Sequence, residues 1–247
     1  MDRLIYTAMS GAKMLTQRHE SVAHNLANVS TNGFKAELTA FRAVPVMGPG
    51  AASRVSSVET TTGANFAQGQ LSHTGNSLDV AIDGRGFFAV QTADGSDAYT
   101  RDGGFSLSAE GQLVTRSGQP VMGEGGPIVL PANHDLLFGR DGTVNAIPRG
   151  QGSAPALRVD RLRTVRPEDS ELQRGGDGLF RMKGGGDAPI DPNVLVAPSM
   201  LEGSNVSAVE SLVNLISIAR HFETQMKLVQ NAEQNSRSAD QLLSMSS

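Results

Sequence analysis

Apolar residues recur at helical spacing close to both ends of the chain. Near the start the intervals alternate between three and four residues, and the apolar members are Ile5, Ala8, Ala12, Leu15, Val22, Leu26 and Val29. His19 is the single polar position in this series. Near the end the same intervals connect Leu212, Leu215, Ala219, Phe222, Met226 and Val229. A narrow apolar stripe of this kind is typical of a helix that packs against another helix.

Local signals place the inner ends of these two helices. The first helix is predicted over residues 2–29, and Asn32-Gly33 is the predicted stop because both residues tolerate a positive φ angle. Phe34 follows as an apolar anchor. The second helix is predicted to begin after Ser207, since Ser207-x-x-Glu210 has the form of a capping box.

Between the helices the apolar period shortens. Residues 36–70 carry few large apolar groups and predict an extended arm or linker. From Leu71 onward, short apolar runs alternate with turn pairs such as Asp83-Gly84 and Asp141-Gly142. The predicted strands are 78–82, 86–90, 98–101, 105–107, 112–115, 127–130, 143–147 and 156–162. Strands at such short intervals, without helical patterns between them, predict a mostly antiparallel β domain.

The position of the two stripes in the chain helps to decide what each helix packs against. An apolar stripe of three or four turns more often belongs to an ordinary amphipathic helix on a protein core. Here both stripes lie at chain ends and flank a β-rich sequence, so we expect the two helices to pair with each other. His19 is expected to be a packed or register-setting polar residue of this pair.

Composition narrows the range of functions. The 247 residues carry a net charge of −4, which argues against a nucleic-acid partner bound through its phosphates. No run of 18 apolar residues occurs, so we expect no direct membrane insertion, and the first residues lack the apolar stretch of a cleaved secretory signal. The absence of cysteine removes disulfides, thiolate catalysis and cysteine-based metal sites.

A search for chemical motifs is mostly negative. The segment Gly84-Arg-Gly-Phe-Phe-Ala89 fits a loose dinucleotide fingerprint, but strand-like sequence follows it where a helix is required. The histidines are scattered, and His19 and His24 are five residues apart, unlike a zinc-binding helical pair. We therefore predict no catalytic residues, no cofactor, no metal and no small-molecule substrate.

Three groups of motifs resemble the bacterial flagellar axial proteins, the rod and hook subunits. The N-terminal one is Asn25-Leu-Ala-Asn-Val-Ser-Thr-Asn-Gly-Phe-Lys35. The central ones are 69–82, Gly86-Phe-Phe88, Tyr99-Thr-Arg101 and Gly111-Gln-Leu-Val114. The C-terminal ones are Glu202-Gly-Ser-Asn-Val206, Arg220 and Phe222-Glu223. The resemblance covers nearly the whole chain in order, and the opening 1–11 and the segment 41–46 look most like a proximal-rod subunit.

The resemblance implies a location and a set of partners. Proteins of this family are exported by the flagellar type III apparatus without a cleaved signal, and they assemble helically into the periplasmic drive shaft. The implied partners are copies of the chain, other proximal and distal rod proteins, and the export apparatus. The implied function is to transmit motor torque to the hook and filament, and not to act as an enzyme.

The sequence thus predicts an α+β fold with a mostly-β antiparallel central domain and long terminal helices in coiled-coil-like packing. The predicted domains are 1–35 with 203–247 for assembly, 36–70 as the arm and 71–202 as the β-rich core. The predicted assembly interface adds Asn25, Asn28, Gly33 and Phe34 to the apolar members of the two stripes. Two alternatives stay open, a distal-rod subunit and, in a different class, a periplasmic β-rich hydrolase.

Overall fold

The chain is organised as two compact units. The computed structural model describes residues 2–45, 55–131, 133–148 and 155–245. One unit, here called the helical unit, contains residues 1–27, 37–64 and 206–247. The other, here called the β unit, contains residues 28–36 and 65–205. The fold is α+β and mostly antiparallel β, as predicted.

Two helices dominate the helical unit. They are α1 (Asp2–Ala27) and α2 (Ala208–Met245), which pack against each other. The Ser207 hydroxyl oxygen accepts a hydrogen bond from the Glu210 amide at 3.3 Å, so the predicted cap of α2 is present. Within the described residues, neither helix is long and apolar enough to cross a membrane.

The first helix ends two residues earlier than predicted. Its last residue is Ala27, and residues 28–30 form a turn. The Thr31 amide donates to the Asn28 carbonyl at 3.2 Å, and the Thr31 hydroxyl donates to the Asn28 side-chain oxygen at 3.1 Å. These local bonds replace a further helical turn, because Asn and Thr compete with the helix for backbone partners. Asn32-Gly33 therefore does not mark the end of the helix.

The segment predicted as an extended arm contains two strands that pair with each other. Strands β1 (Glu37–Pro45) and β2 (Val55–Ala64) are antiparallel, with a register shift between Ala40 and Phe41. The sequence between them, 46–54, lies outside the described residues. Strand β2 contains two Val and three Thr residues, and β-branched residues favour a pleated strand over an unpaired linker.

The β unit consists of short strands. They are β3 (Leu71–His73), β4 (Val80–Asp83), β5 (Phe87–Gln91), β6 (Asp97–Thr100), β7 (Phe105–Leu107), β8 (Leu113–Thr115), β9 (Met122–Gly123), β10 (Gly126–Pro127), β11 (His134–Phe138), β12 (Thr143–Pro148), β13 (Leu157–Arg161), β14 (Thr164–Val165), β15 (Leu172–Arg174), β16 (Phe180–Met182), β17 (Leu195–Pro198) and β18 (Met200–Glu202). A 3-10 turn covers Asp169–Glu171.

Antiparallel pairing joins these strands into several small sheets. A five-stranded sheet has the order β14-β5-β6-β16-β15, and a three-stranded sheet has the order β11-β12-β13. Hairpins form from β7 with β8 and from β9 with β10. The last strands of the unit return to the first, because β17 pairs with β4 and β18 pairs with β3.

One core cluster holds the β unit together. Its buried side chains come from early, middle and late strands and are Val80, Ile82, Phe88, Phe105, Leu113, Val121, Ile128, Leu130, Leu136, Phe138, Val144, Leu162, Val194 and Val196. Phe105 packs edge-on against Phe88, with ring centroids 5.3 Å apart. Since Val194 and Val196 belong to the same cluster as Val80 and Ile82, the core closes only when the last strands are in place.

Candidate functional site

The most distinctive site lies within the β unit, in segments that are close in sequence to the points where the chain passes from one unit to the other. The chain makes four such crossings, next to Ala27, Ala36, Ala64 and Asn205. Three segments of the β unit carry three of these crossings, namely 33–36, 65–69 and 202–205, and they are bonded to one another. We call these three segments the junction.

Lys35 is the central cation of the junction. Its side chain is completely buried. The ammonium group donates hydrogen bonds to the Ala67 carbonyl at 2.8 Å and to Glu202 Oε1 at 2.6 Å. A buried ammonium group costs several kcal/mol unless it is paired and hydrogen-bonded. The geometry satisfies that requirement with partners from both other segments.

Glu202 is the central anion of the junction and contacts several groups besides Lys35. Its Oε1 also accepts the Gly69 amide at 2.9 Å, and its Oε2 lies 3.3 Å from Arg101 Nε. Its backbone carbonyl accepts the Gly33 amide at 2.7 Å. The Glu202 side chain is fully buried, so this one carboxylate balances two cations away from water.

Electrostatics make Glu202 essential to the charge state of the cluster. Burial lowers the pKa of Lys35, while the hydrogen bond and the charge of Glu202 raise it and the charge of Arg101 lowers it. Burial also lowers the pKa of Arg101, and the Glu202 carboxylate opposes that effect. Arg101 further donates to the Gly84 carbonyl at 2.6 Å. Glu202 thus opposes the effect of burial on the pKa of both cations.

Both the backbone conformation and the space available at position 33 favour glycine. Its φ angle is 66°, in the left-handed region that residues with a side chain rarely adopt. A Cβ atom at this position would lie 2.3 Å from the Asp102 amide nitrogen. The predicted turn residue therefore allows the 28–36 segment to approach the backbone beside Arg101.

Phe34 and Lys35 are held from the other side by Arg174. The Arg174 guanidinium lies 4.5 Å from the centroid of the Phe34 ring and 5.0 Å from that of Phe180. It also donates to the Lys35 carbonyl at 2.5 Å. This arrangement combines cation–π attraction with a hydrogen bond and confirms Phe34 as an anchor.

Asn205 ties all three segments together through one side chain. Its side-chain oxygen accepts the Ala36 amide at 2.7 Å. Its side-chain nitrogen donates to the Asn65 carbonyl at 2.7 Å and to the Ala67 carbonyl at 2.9 Å. Asn205 therefore bridges three crossing segments.

Replacing Asn205 with alanine is expected to lower the free energy of unfolding of the β unit by about 2 kcal/mol, because three hydrogen bonds of roughly 0.5–1.5 kcal/mol each are lost. Urea unfolding, monitored by hydrogen exchange of the backbone amides of β3 and β18, measures the loss of unfolding free energy. The matched control is Asn193→Ala, which removes one exposed contact with Asp191 and should change the stability by less than about 0.5 kcal/mol. Equal effects of the two substitutions would contradict the bridging role of Asn205.

Asn25 has a corresponding role within the helical unit. Its side-chain oxygen accepts the Glu37 amide at 2.7 Å, and its side-chain nitrogen donates to the Glu37 carbonyl at 2.9 Å. His24 Nδ1 lies 3.1 Å from the Glu37 carboxylate. The last turn of α1 is thereby attached to the start of β1, which explains why an asparagine is needed at position 25.

The predicted interface residues of α1 lie in different environments. Ala8 and Leu15 are buried, and Ala12, Val22 and Leu26 are half-buried. Ile5 lies in α1, whereas Asn28 and Val29 lie beyond its end and belong to the β unit. His19 is exposed in the single chain, so the expectation that it is packed within the helix pair is wrong for the isolated subunit.

The most buried positions of α2 form a line that differs from the predicted stripe. We call this line the inner stripe, and its members are Ser211, Leu215, Ile218, Gln225, Val229 and Ala232. Only two predicted residues, Leu215 and Val229, belong to it. The other four are exposed, and they are Leu212, Ala219, Phe222 and Met226.

A second apolar line lies on the opposite face of α2. Its members are 50–73% exposed, and they are Val209, Leu212, Val213 and Ile216. Their spacing of three and four residues places them on one face of the helix. We call this line the outer stripe.

Sequence reasoning did not single out the charged cluster. Lys35, Arg101 and Glu202 each lie in a quoted motif, but Lys35 and Glu202 are 167 residues apart. The available signal in the sequence was that each of these charged residues stands at one end of a motif that is otherwise apolar or turn-forming. In the described residues, no group of three His, Cys, Asp or Glu side chains could hold a metal ion.

Known families match three parts of the chain. Residues 5–35 match the flagella basal body rod protein model, residues 81–146 match the flagellar hook protein FlgE/F/G D1 domain, and residues 197–242 match the flagellar basal body rod FlgEFG protein C-terminal model. The flagellar basal-body rod protein FlgF of Salmonella typhimurium is 43% identical to the chain over all of both sequences. The chain belongs to the flagellar basal-body rod protein family.

Other members of the rod family are also similar along most of their length. FlgF of Caulobacter vibrioides is 38% identical over 97% of each chain. FlgG of Buchnera aphidicola subsp. Schizaphis graminum is 36% identical over 90% of this chain and 92% of its own. The resemblance to FlgF that the motifs predicted is confirmed, and FlgG fits less well.

Membership of the rod family defines the broad function. Rod proteins of this family are structural proteins of the flagellar basal body, so the chain is a structural rod subunit located in the periplasmic rod. They assemble with other rod subunits. The alternative of a periplasmic hydrolase is wrong, because the family is structural.

Proposed function

We propose that this chain is a subunit of the proximal rod and polymerises helically to form part of the drive shaft that carries motor torque to the hook and filament. Its partners in this proposal are copies of itself, other proximal and distal rod proteins, and the type III apparatus that exports it without a cleaved signal. The higher similarity to FlgF than to FlgG supports the proximal position.

Assembly is proposed to use the terminal segments 1–35 and 203–247 in coiled-coil-like contacts, with 36–70 as an arm and 71–202 as the core. The observation that carries this part is the outer stripe. Four large apolar side chains on one helical face are exposed in the single chain while the inner stripe is already covered. A second helix packed on the outer stripe would remove this apolar surface from water, and each side chain would contribute roughly 1.5–3 kcal/mol if it became fully buried.

A shaft requires contacts between subunits and also transmission of force within each subunit. We assign the second role to the junction. A load that enters through the helical unit reaches the β unit through the crossing segments of the backbone. Because Lys35, Glu202 and Asn205 bond three of those segments to one another, the segments share the load. A shaft subunit needs such cross-linked connections, since a single flexible linker would stretch or twist before it transmitted torque.

Substituting Ile216 with aspartate is expected to abolish rod assembly, because it places a charge among the apolar side chains of the outer stripe. Ile216 is 56% exposed, so the stability of the isolated subunit should change by less than about 0.5 kcal/mol. The measurement is recovery of rods from cells whose only copy of the protein is the variant, combined with swimming in soft agar.

The control for the charge is Gln230→Glu, which adds a negative charge at an exposed polar position of the same helix and should assemble normally. Normal rods from Ile216→Asp would show that the outer stripe is not an assembly surface. A variant that fails to assemble but also unfolds in isolation would indicate that Ile216 supports the subunit itself.

A further inference from the structure

The inner stripe of α2 contains a polar side chain in its middle. Gln225 is half-buried and lies between Ile218 and Val229 in the sequence of the stripe. Its side-chain nitrogen donates a hydrogen bond to the Ala8 carbonyl of α1 at 3.0 Å. A carbonyl oxygen has two lone pairs, so Ala8 can accept this bond and still accept its own helical bond.

Gly11 leaves the space that this bond requires. It is a glycine in the interior of α1, where glycine disfavours the helix roughly fivefold relative to alanine. A Cβ atom at position 11 would lie 2.9 Å from Gln225 Nε2 and 3.3 Å from its Cδ. A side chain there would displace the amide from the Ala8 carbonyl, so the glycine has a specific structural reason.

We infer that Gly11 and Gln225 form a register lock that fixes the axial alignment of α1 on α2 and identifies the inner stripe as the face for α1 of the same chain. Any other alignment separates the Gln225 amide from the Ala8 carbonyl and loses this hydrogen bond. One polar residue in an otherwise apolar helix contact can in this way favour a single register.

The outer stripe lacks a comparable polar member. Val209, Leu212, Val213 and Ile216 offer area without a directional bond. The register lock therefore distinguishes the two apolar faces of α2, and it assigns the inner stripe to pairing with α1 of the same chain. That the other face receives neighbouring subunits rests on the proposed function, whereas the lock itself is a property of the single chain.

A double-mutant cycle on the dilute full-length chain tests the coupling. Gly11→Ala should increase the pairing constant at least twofold less in the natural chain than in the Gln225→Ala background, because only the natural chain loses the hydrogen bond to Ala8. In the Gln225→Ala background the same Gly11→Ala change should raise the midpoint, since only the gain in propensity remains. Circular dichroism at 222 nm measures both. An equal rise in both backgrounds would overturn the proposal.

Register can be measured separately from stability. The chain has no cysteine, so spin labels can be attached at Met9→Cys and Leu228→Cys, both exposed positions on the paired helices. The natural pair should give one narrow distance distribution. Gln225→Leu should add a population displaced by about 10 Å, the length of seven helical residues. An unchanged single distribution in Gln225→Leu would show that the lock does not set the register, whatever the outcome of rod assembly.

Discussion

Replacing Glu202 with glutamine is expected to lower the free energy of unfolding of the β unit by about 3–5 kcal/mol, the usual effect of removing one partner from a buried ion pair. Glutamine keeps the shape but removes the charge that balances Lys35 and Arg101. Its amide also offers hydrogen-bond donors toward groups that are donors themselves. Urea unfolding of the full-length chain measures the loss.

The matched control for Glu202→Gln is Glu168→Gln, which removes a carboxylate from an exposed position of the same unit and should change the stability by less than about 0.5 kcal/mol. Lys35→Met should be strongly destabilising alone but much less so in the Glu202→Gln background, because one surplus cation is then removed. Additive effects of the two substitutions, or a loss below 1 kcal/mol for Glu202→Gln, would refute the coupled cluster.

Local sequence signals predicted several strands of the β unit. The strands at 86–90, 105–107 and 143–147 match β5, β7 and β12 within one residue. The expected strand 127–130 was largely wrong, since β10 ends at Pro127 and residues 128–130 form a bridge from Val129 to Gln112 and isolated backbone hydrogen bonds but no continuous strand. Short apolar runs next to proline do not reveal whether a partner strand is available.

Four of the missed strands have partners that are distant in the chain. Strands β15–β18 lie in or next to the Gly- and Pro-rich sequence 175–198, which predicts a return loop and no sheet, and β14 lies ten residues before it. Strands β14, β16, β17 and β18 pair with β5, β6, β4 and β3, and these pairings depend on tertiary contacts that no local pattern contains. The same limit applies to Lys35 and Glu202, whose burial is possible only because each supplies the countercharge of the other.

The orientation of α2 shows a different limit of sequence analysis. Apolar residues cover more than one line on this helix, so spacing alone permits several faces toward α1. The bond between Gln225 and Ala8 favours one of them. In the register lock proposed above, a polar residue contributes to this choice, and a pattern search that scores only apolar positions cannot find it.

The return of the chain end to the first strands makes the β unit a closed structure. Among the described strands, β4 has β17 as its sheet partner and β3 has β18. The segment 194–205 supplies both partners, two core side chains, Glu202 and Asn205. A chain delivered with its N-terminus first therefore cannot complete the β unit until this segment has arrived, because early strands and Lys35 lack their partners until then.

Detaching the segment 194–205 is accordingly expected to unfold the whole β unit in one step. Pulling the full-length chain by its ends in an optical trap should release the segment 65–205 as a single length increase of at most roughly 490 Å, at about 3.5 Å per residue. Val196→Ala should lower the force of this event, because Val196 is buried in the core. The adjacent Leu195→Ala is the control, since Leu195 is 52% exposed and should leave the force unchanged. A short first step that releases only 194–205 while the other strands stay folded would contradict closure by the chain end.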